Sequence, residues 1–161
     1  MDMGTGAETG GVGAKQVFAT DVTVRFGDCD PAGIVFYPRY FEMINNLVED
    51  WCAQGLGMSF RELHLERGLG LPTVQLETSF VAPSELGDRL RAELRVAKMG
   101  GASVTIEVRL LGAAGEDRVR ASLVLVMMDL KEHRAVPIPE PLRSRIAAFA
   151  STRTEQGKTT T

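Results

Sequence analysis

Apolar and polar side chains alternate along most of the chain, but in one stretch the apolar ones recur at helical spacing. Residues 16–26 carry apolar side chains at nearly every second position, with one slip, which predicts a strand. Residues 38–54 predict an amphipathic helix, roughly 25 Å long at ~1.5 Å per residue. Pro38 suits its first turn, and a glycine at position 55 or 57 suits its end. Its apolar face consists of Phe41, Ile44, Leu47, Val48 and Trp51.

Beyond this helix the periodicity becomes that of strands. Four segments rich in Val, Leu, Ile and Thr predict strands: residues 73–82, 89–97, 103–111 and 119–130. Glycines at 100–101 and within 112–115 mark tight connections, so the last three strands should form an antiparallel meander. Prolines within 137–141 interrupt the pattern before a short closing helix at 142–149. One long helix beside one antiparallel sheet is an α+β architecture.

The composition indicates a single globular domain. The chain has 161 residues, of which 44% are hydrophobic and 24% charged, which is ordinary for one compact domain. We expect that domain to span residues 16–150. Residues 1–15 are rich in glycine and predict disorder, and the polar residues 151–161 predict a flexible tail.

The charge distribution argues against two kinds of partner. The net charge is −3 and basic residues are scattered, so no stripe favours nucleic acid. The longest apolar run, residues 123–128, is too short to cross a membrane. The first residues lack the basic start and apolar core of a signal peptide, so we expect a cytoplasmic protein.

Cysteines and histidines offer little chemistry in this sequence. Cys29 and Cys52 are far apart and have no neighbours at metal-ligand spacing, so we expect reduced thiols and neither metal nor cofactor. Cys29 could be a nucleophile, but the two carboxylates that flank it should raise its pKa. His64 and His133 are isolated, which favours surface positions over catalysis.

Residues 27–33, GDCDPAG, allow two interpretations. An Asp before Pro with a nearby Gly is common turn chemistry, in which Asp30 would only bond the backbone. Alternatively, Asp30 is a reactive carboxylate just upstream of a helix whose first N–H groups have no intrahelical partner. Those donors lie at the positive end of the helix dipole and can stabilise an oxyanion. With the apolar residues 34–36 between them, this arrangement suits thioester hydrolysis.

The segment FGDCDPAGIVFYPRYF, residues 26–41, resembles the active-site loop and helix start of the 4-hydroxybenzoyl-CoA thioesterase family. Residues 67–94 are similar to the second and third strands of that family, and the likeness covers most of residues 16–130. The resemblance implies a hotdog fold, an antiparallel five-stranded sheet wrapped around one long helix. It also implies homodimers or homotetramers whose active sites lie at the subunit interface.

The resemblance further implies roles for individual residues. The catalytic carboxylate of the family falls on Asp30, as nucleophile or general base, and its oxyanion donor falls on the backbone N–H of Tyr37. Asp28 matches a carboxylate with a structural role. Many relatives carry His at the position of Tyr37, which places this chain nearer the aromatic acyl-CoA branch. The position that contacts the ring hydroxyl corresponds to Asn45, which could equally be a polar surface residue.

The substrate-binding residues are less sharply indicated. Ile34 and Phe36 should line the acyl pocket. Coenzyme A carries phosphates, which need basic side chains, and some relatives have a basic cluster where this chain has Lys98 alone. An ordinary solvated lysine is the alternative for Lys98, and the phosphates could instead bind one of three arginines: Arg61, Arg67 or Arg89.

The resulting hypothesis is an acyl-CoA thioesterase that needs no cofactor and hydrolyses a small aromatic acyl-CoA, of the benzoyl or hydroxybenzoyl type. A thioesterase for short or medium aliphatic chains is one alternative. A non-catalytic acyl-CoA-binding module is another, although such a protein would be expected to lack the carboxylate of Asp30. A hotdog dehydratase is disfavoured because it uses a catalytic His in a different motif.

Overall fold

The computed structural model describes residues 16–150. The predictions for residues 1–15 and 151–161 therefore lie outside the described residues. Within residues 16–150, no helix has both the length and the apolar character needed to cross a membrane.

The long helix, α1, spans Tyr37–Asp50 and continues as a π-helical turn over Trp51–Gly55. It begins one residue before the predicted start, with Pro38 in its first turn, and it ends at the predicted glycine. A Cβ atom on Gly55 would lie 2.8 Å from the Trp51 ring, so only glycine allows this close packing. The buried face of α1 comprises Tyr40, Met43, Ile44, Leu47 and Val48.

The strands form two sheets. In chain order they are β1 (Phe18–Thr23), β2 (Leu69–Gly70), β3 (Thr73–Phe80), β4 (Arg89–Met99), β5 (Ser103–Leu111), β6 (Asp117–Val126), β7 (Met128–Asp129) and β8 (Arg134–Ala135). The main sheet has the order β1-β4-β5-β6-β3, with every neighbouring pair antiparallel. This confirms the predicted meander of β4, β5 and β6. Strands β2, β7 and β8 form a small second sheet that the sequence did not predict.

Three predicted strands are shorter in the structure than in the sequence pattern, and the one predicted over residues 73–82 ends two residues early, at Phe80. The first ends at Thr23, because the Val24 N–H bonds the Asp88 carbonyl and Phe26–Asp28 forms a 3-10 turn. The strand predicted over residues 119–130 is interrupted at Met127, whose N–H donates to the Ala102 carbonyl at 2.8 Å. The residues beyond Met127 belong to the second sheet.

The core lies between α1 and the inner face of the main sheet. Alternate residues of the three central strands are buried there: Leu90, Ala92, Leu94 and Val96; Val104, Ile106, Val108 and Leu110; Val119, Ala121, Leu123 and Leu125. Each fully buried Leu, Ile or Val contributes about 1.5–3 kcal/mol relative to an exposed position. A short helix, α2 (Glu140–Ala147), closes one side through Leu142 and Ile146. The structure is thus the predicted α+β fold, a five-stranded antiparallel sheet around one long helix.

Candidate active site

The loop before α1 folds into a small hairpin, residues 28–36. The Phe36 N–H donates to the Asp28 carbonyl at 2.9 Å, and the Asp30 N–H donates to the Ile34 carbonyl at 3.1 Å. Between these bonds, Cys29 and Val35 form an antiparallel bridge. Asp30 therefore lies at the tip of the hairpin, where the chain turns back toward the start of α1.

The carboxylate of Asp30 makes the turn bond that the first interpretation of the sequence predicts. Its Oδ1 accepts the Ala32 N–H at 2.8 Å, and the Asp30 carbonyl accepts the Gly33 N–H at 2.9 Å. Gly33 has a φ of 84°, a conformation that favours glycine. Within residues 16–150, Oδ2 of Asp30 accepts no hydrogen bond. One carboxylate oxygen thus anchors the turn, and the other remains available for chemistry.

The first turn of α1 offers a free backbone donor. Tyr37 is the first helical residue, and Pro38, which follows it, has no N–H. The Arg39 N–H donates to the Phe36 carbonyl at 2.8 Å. No group in the described part of the chain accepts the Tyr37 N–H. This donor lies at the positive end of the helix dipole and can bond a developing oxyanion.

A crevice runs between α1 and the edge strand β3, and aromatic rings dominate one end of it. The Phe80 ring centroid lies 6.0 Å from those of Tyr37 and Tyr40, and 6.2 Å from that of Phe41. Phe36 packs on Tyr37 at 5.7 Å. We call these five residues the aromatic cluster. Phe36, Tyr37 and Phe80 are 47%, 58% and 51% exposed, so the cluster presents ring surface to a ligand.

Two clefts lie along this crevice. One, of about 270 Å³, is at the hairpin end and is lined by Ile34, Val35, Tyr37, Tyr40, Phe80, Val81, Ala82 and Pro83. The other, of about 170 Å³, lies further along α1 and is lined by Phe41, Ile44, Asn45, Val48, Phe60, Leu71, Thr73, Leu76, Leu123 and Leu125. The rings of the aromatic cluster contribute to both clefts.

The structure brings together some of the predicted site residues. Ile34 and Tyr37 line the hairpin-end cleft, and Phe36 packs on the Tyr37 ring without lining that cleft. Asn45 lines the other cleft, where its amide and the Thr73 hydroxyl are the polar side chains of an otherwise apolar wall.

Lys98 lies elsewhere in the chain. The hairpin contacts the chain just before β4, through the Val35 N–H and the Ser84 carbonyl, at 2.9 Å. Lys98 is exposed near the other end of β4, roughly 30 Å from Arg89 at ~3.3 Å per residue. Within one chain, Lys98 and Asp30 are therefore at opposite ends of the sheet.

Sequence reasoning did not identify the β3 residues that line the crevice. Phe80 falls within the predicted strand at 73–82, and its alternation with Leu76 and Thr78 places the three on one face. The pattern carries that signal, but only the strand order shows that β3 is an edge strand beside α1.

The cysteines and histidines show no catalytic arrangement. Partial burial raises the pKa of Cys29, and the neighbouring carboxylates raise it further, which confirms the predicted direction. Burial raises the pKa of Cys52 to about 12. Nδ1 of His64 lies 2.7 Å from the Phe60 carbonyl. Among residues 16–150, no three His, Cys, Asp or Glu side chains cluster as a metal site would require.

A depression larger than either cleft, of about 610 Å³, lies on the outer face of the main sheet. Four of its six charged side chains, Glu93, Arg95, Arg109 and Arg120, form ion pairs. Arg91 pairs with Glu93 at 3.0 Å, and Arg109 pairs with Asp117 at 2.8 Å. Nine of its eleven lining residues are polar or charged, as on a solvated sheet face, whereas the residues that line the two clefts beside α1 are mostly apolar.

Comparison with known proteins identifies the class. The family model described as the Thioesterase-like superfamily matches residues 24–146. The chain therefore belongs to the Thioesterase-like superfamily, and its sheet and helix form the hotdog fold. Within that class it is an acyl-CoA thioesterase, a thioester hydrolase.

Several individual proteins are similar to this chain. A 1,4-dihydroxy-2-naphthoyl-CoA hydrolase of Thermosynechococcus vestitus is 29% identical over 120 residues, covering 74% of this chain and 82% of the relative. A 4-hydroxybenzoyl-CoA thioesterase of Pseudomonas sp. strain CBS-3 is 35% identical over 71 residues, covering 44% and 50%. The crystal structure of a 1,4-dihydroxy-2-naphthoyl-CoA thioesterase from Synechocystis superposes with a TM-score of 0.75. It is 25% identical, and the match covers 82% of this chain and 96% of that chain.

Proposed function

We propose that this enzyme hydrolyses an aromatic acyl-CoA, of benzoyl, hydroxybenzoyl or hydroxynaphthoyl type, to the free acid and CoA. The observation that carries the proposal is the aromatic cluster, whose exposed rings flank the start of α1. A flat acyl group can pack edge-to-face or offset against such rings. The names of two similar proteins, a dihydroxynaphthoyl-CoA hydrolase and a hydroxybenzoyl-CoA thioesterase, support the same substrate class.

In the proposed mechanism, Asp30 provides or activates the nucleophile, and the Tyr37 N–H stabilises the charge on the thioester carbonyl oxygen. Oδ2 of Asp30 attacks the thioester carbon, or takes a proton from the water that attacks it. The carbonyl oxygen becomes an oxyanion, which accepts the Tyr37 N–H. Collapse of the tetrahedral intermediate breaks the C–S bond and releases CoA. In the nucleophilic route it leaves a mixed anhydride on Asp30, which water then hydrolyses to the free acid and the restored carboxylate, while the released proton goes to the thiolate. In the general-base route the proton held by Asp30 passes to the departing thiolate, which restores the carboxylate.

We propose that the working enzyme is a homodimer or homotetramer in which the crevice is completed by a second copy. Within residues 16–150, strand β3 pairs only with β6, so its other edge has free backbone groups. Val74, Leu76 and Phe80 on this strand are exposed. An open edge with apolar side chains favours association. A second subunit would also bring a basic side chain, with Lys98 as the proposed donor, to the CoA phosphates bound at the first.

The test compares two carboxylates of the same hairpin. Oδ2 of Asp28 accepts the Arg25 N–H at 2.8 Å, a turn bond similar to the one that Asp30 makes to Ala32. An Asn side chain preserves both bonds but removes the charge. We expect Asp30→Asn to lower kcat for benzoyl-CoA at least about a hundredfold, the scale of general-base loss, while Asp28→Asn stays within about tenfold of wild type.

Release of free thiol measures the rates, and circular dichroism checks that both variants are folded. An Asp30→Asn enzyme with near-normal turnover would contradict the proposed mechanism. A wild-type protein that binds aromatic acyl-CoA without releasing thiol would favour the binding-module alternative.

A further inference from the structure

Arg118 connects strand β6 to the segment between β3 and β4. Its side chain is only 17% exposed. Nη1 donates to the Pro83 carbonyl at 2.8 Å, to Ser84 Oγ at 3.2 Å and to Asp88 Oδ2 at 3.0 Å. The acceptors are 30 or more residues away in sequence. One guanidinium group therefore holds both ends of the connection, residues 83–88.

That connection in turn holds the hairpin. Ser84 is fully buried and is the one buried polar residue found in the described part of the chain. Its carbonyl accepts the Val35 N–H at 2.9 Å, and the next residue, Glu85, forms an antiparallel bridge with Ile34. A continuous set of hydrogen bonds thus runs from Arg118 through Ser84 to Val35, two residues before Tyr37.

The other two guanidinium nitrogens of Arg118 also donate hydrogen bonds. Nε and Nη2 donate to Oε1 of Glu116 at 3.2 and 2.9 Å. Oδ2 of Asp88, besides accepting from Arg118, accepts the Glu85 N–H at 2.9 Å. Glu116 and Asp88 therefore fix the guanidinium plane from two sides. A lysine has a single charged nitrogen and cannot reproduce this fork.

We propose that Arg118 is a positioning residue for thioester hydrolysis. It fixes residues 83–85 against the hairpin and so sets the Asp30 carboxylate relative to the Tyr37 N–H, without touching the substrate. This inference rests on the roles proposed above for Asp30 and Tyr37. Displacement of reacting groups by about 1 Å can cost up to a hundredfold in rate, so a residue that only supports the hairpin can have a large effect.

The experiment replaces Arg118 by Gln and by Lys, with Arg120→Gln as the matched control. Arg120 is on the same strand, is ion-paired with Asp117 and makes no bond to residues 83–88. We expect both Arg118 variants to lower kcat by about ten- to a hundredfold, with a smaller change in KM. Arg120→Gln should keep kcat within about threefold of wild type, because surface substitutions are usually near neutral.

Chemical rescue separates positioning from general stability. Guanidinium ion, added to Arg118→Ala below the concentration that unfolds it, should occupy the vacated site and raise kcat several-fold. Guanidinium is a denaturant. If unfolding alone caused the loss of activity, added guanidinium would therefore lower kcat further. Circular dichroism gives the folded fraction against which every rate is corrected.

The outcomes are distinguishable. A folded Arg118→Gln enzyme with wild-type kcat, or one in which only KM changes, overturns the inference about Arg118. If Arg118→Gln does not fold, Arg118→Lys, which keeps the charge, decides by the same criterion. Near-normal activity of Asp30→Asn contradicts the proposed mechanism, on which this inference rests, whatever the Arg118 variants do.

Discussion

Phe80, at the end of the edge strand, lies edge-to-face against Tyr37, the first residue of the long helix, with ring centroids 6.0 Å apart and planes at 73°. The side chain of Tyr37 thus lines the crevice between α1 and β3, and its backbone N–H is the proposed oxyanion donor. Under the proposed function, the same residue would contact the acyl group and stabilise the oxyanion.

The first prediction concerns Phe80 and substrate class. Replacing Phe80 by Ala removes the strand side of the aromatic cluster, and aromatic pairs are worth about 0.5–1.5 kcal/mol beyond their area. We expect kcat/KM for benzoyl-CoA to fall by up to about tenfold relative to an aliphatic acyl-CoA of similar size. Val74→Ala is the matched control, since Val74 is exposed on the same strand and lines neither of the two clefts. Equal losses for both substrates would show that the ring contacts do not select the acyl group.

The second prediction concerns the ring hydroxyl. Asn45 offers both a donor and an acceptor from the wall of the second cleft. One neutral hydrogen bond is worth about 1 kcal/mol, so benzoyl-CoA and hydroxybenzoyl-CoA should have kcat/KM values within roughly tenfold of each other. Asn45→Ala should reduce whatever preference exists for the hydroxylated substrate. If a medium-chain aliphatic acyl-CoA is strongly preferred over both, the aromatic assignment is wrong and the aliphatic alternative stands.

The helix and the central strands were predictable because each has one unambiguous periodicity. Alternation over β4, β5 and β6 and the three- and four-residue spacing of α1 each place a single face in the core. The second sheet was not predictable, since strands of two residues, such as Leu69–Gly70, have too few positions to show a pattern. The break at Met127 was also hidden, because an apolar run continues through it.

The candidate site shows the same division. Asp30 and Tyr37 are neighbours in sequence, so a motif could point to both. Phe80 and Arg118 lie 43 and 81 residues after Tyr37 in the sequence, and only tertiary contacts connect them to the site. Arg118 resembles Arg120, the other arginine of β6, in the sequence, and only its burial and its bonds to residues 83–88 distinguish it.

The third prediction concerns assembly. We expect light scattering to report a homodimer or homotetramer at micromolar concentration, because β3 exposes an unpaired edge with apolar side chains. Val74→Lys places a charge on that edge and should weaken association, whereas Val74→Thr retains shape without charge and should not. A stable wild-type monomer would contradict both the assembly and the proposal that a second subunit completes the crevice.

The last prediction concerns pH and Asp88. The Glu85 N–H and the Arg118 side chain hold the pKa of Asp88 below its usual value of 3.8. A carboxyl whose pKa is lower in the folded state stabilises the fold above its unfolded pKa and loses that contribution as pH falls through the folded pKa. The difference in free energy of unfolding between wild type and Asp88→Asn should therefore be constant from neutral pH down to about pH 4, then shrink at lower pH.

Urea unfolding at fixed protein concentration measures this difference, since association makes stability concentration-dependent. Asp21→Asn provides the control, because no ion pair involves Asp21 in the described part of the chain. If the difference in free energy of unfolding between wild type and Asp88→Asn already declines between pH 7 and pH 5, a group other than Asp88 titrates in that range. The Asp88–Arg118 pairing would then not explain the pH dependence.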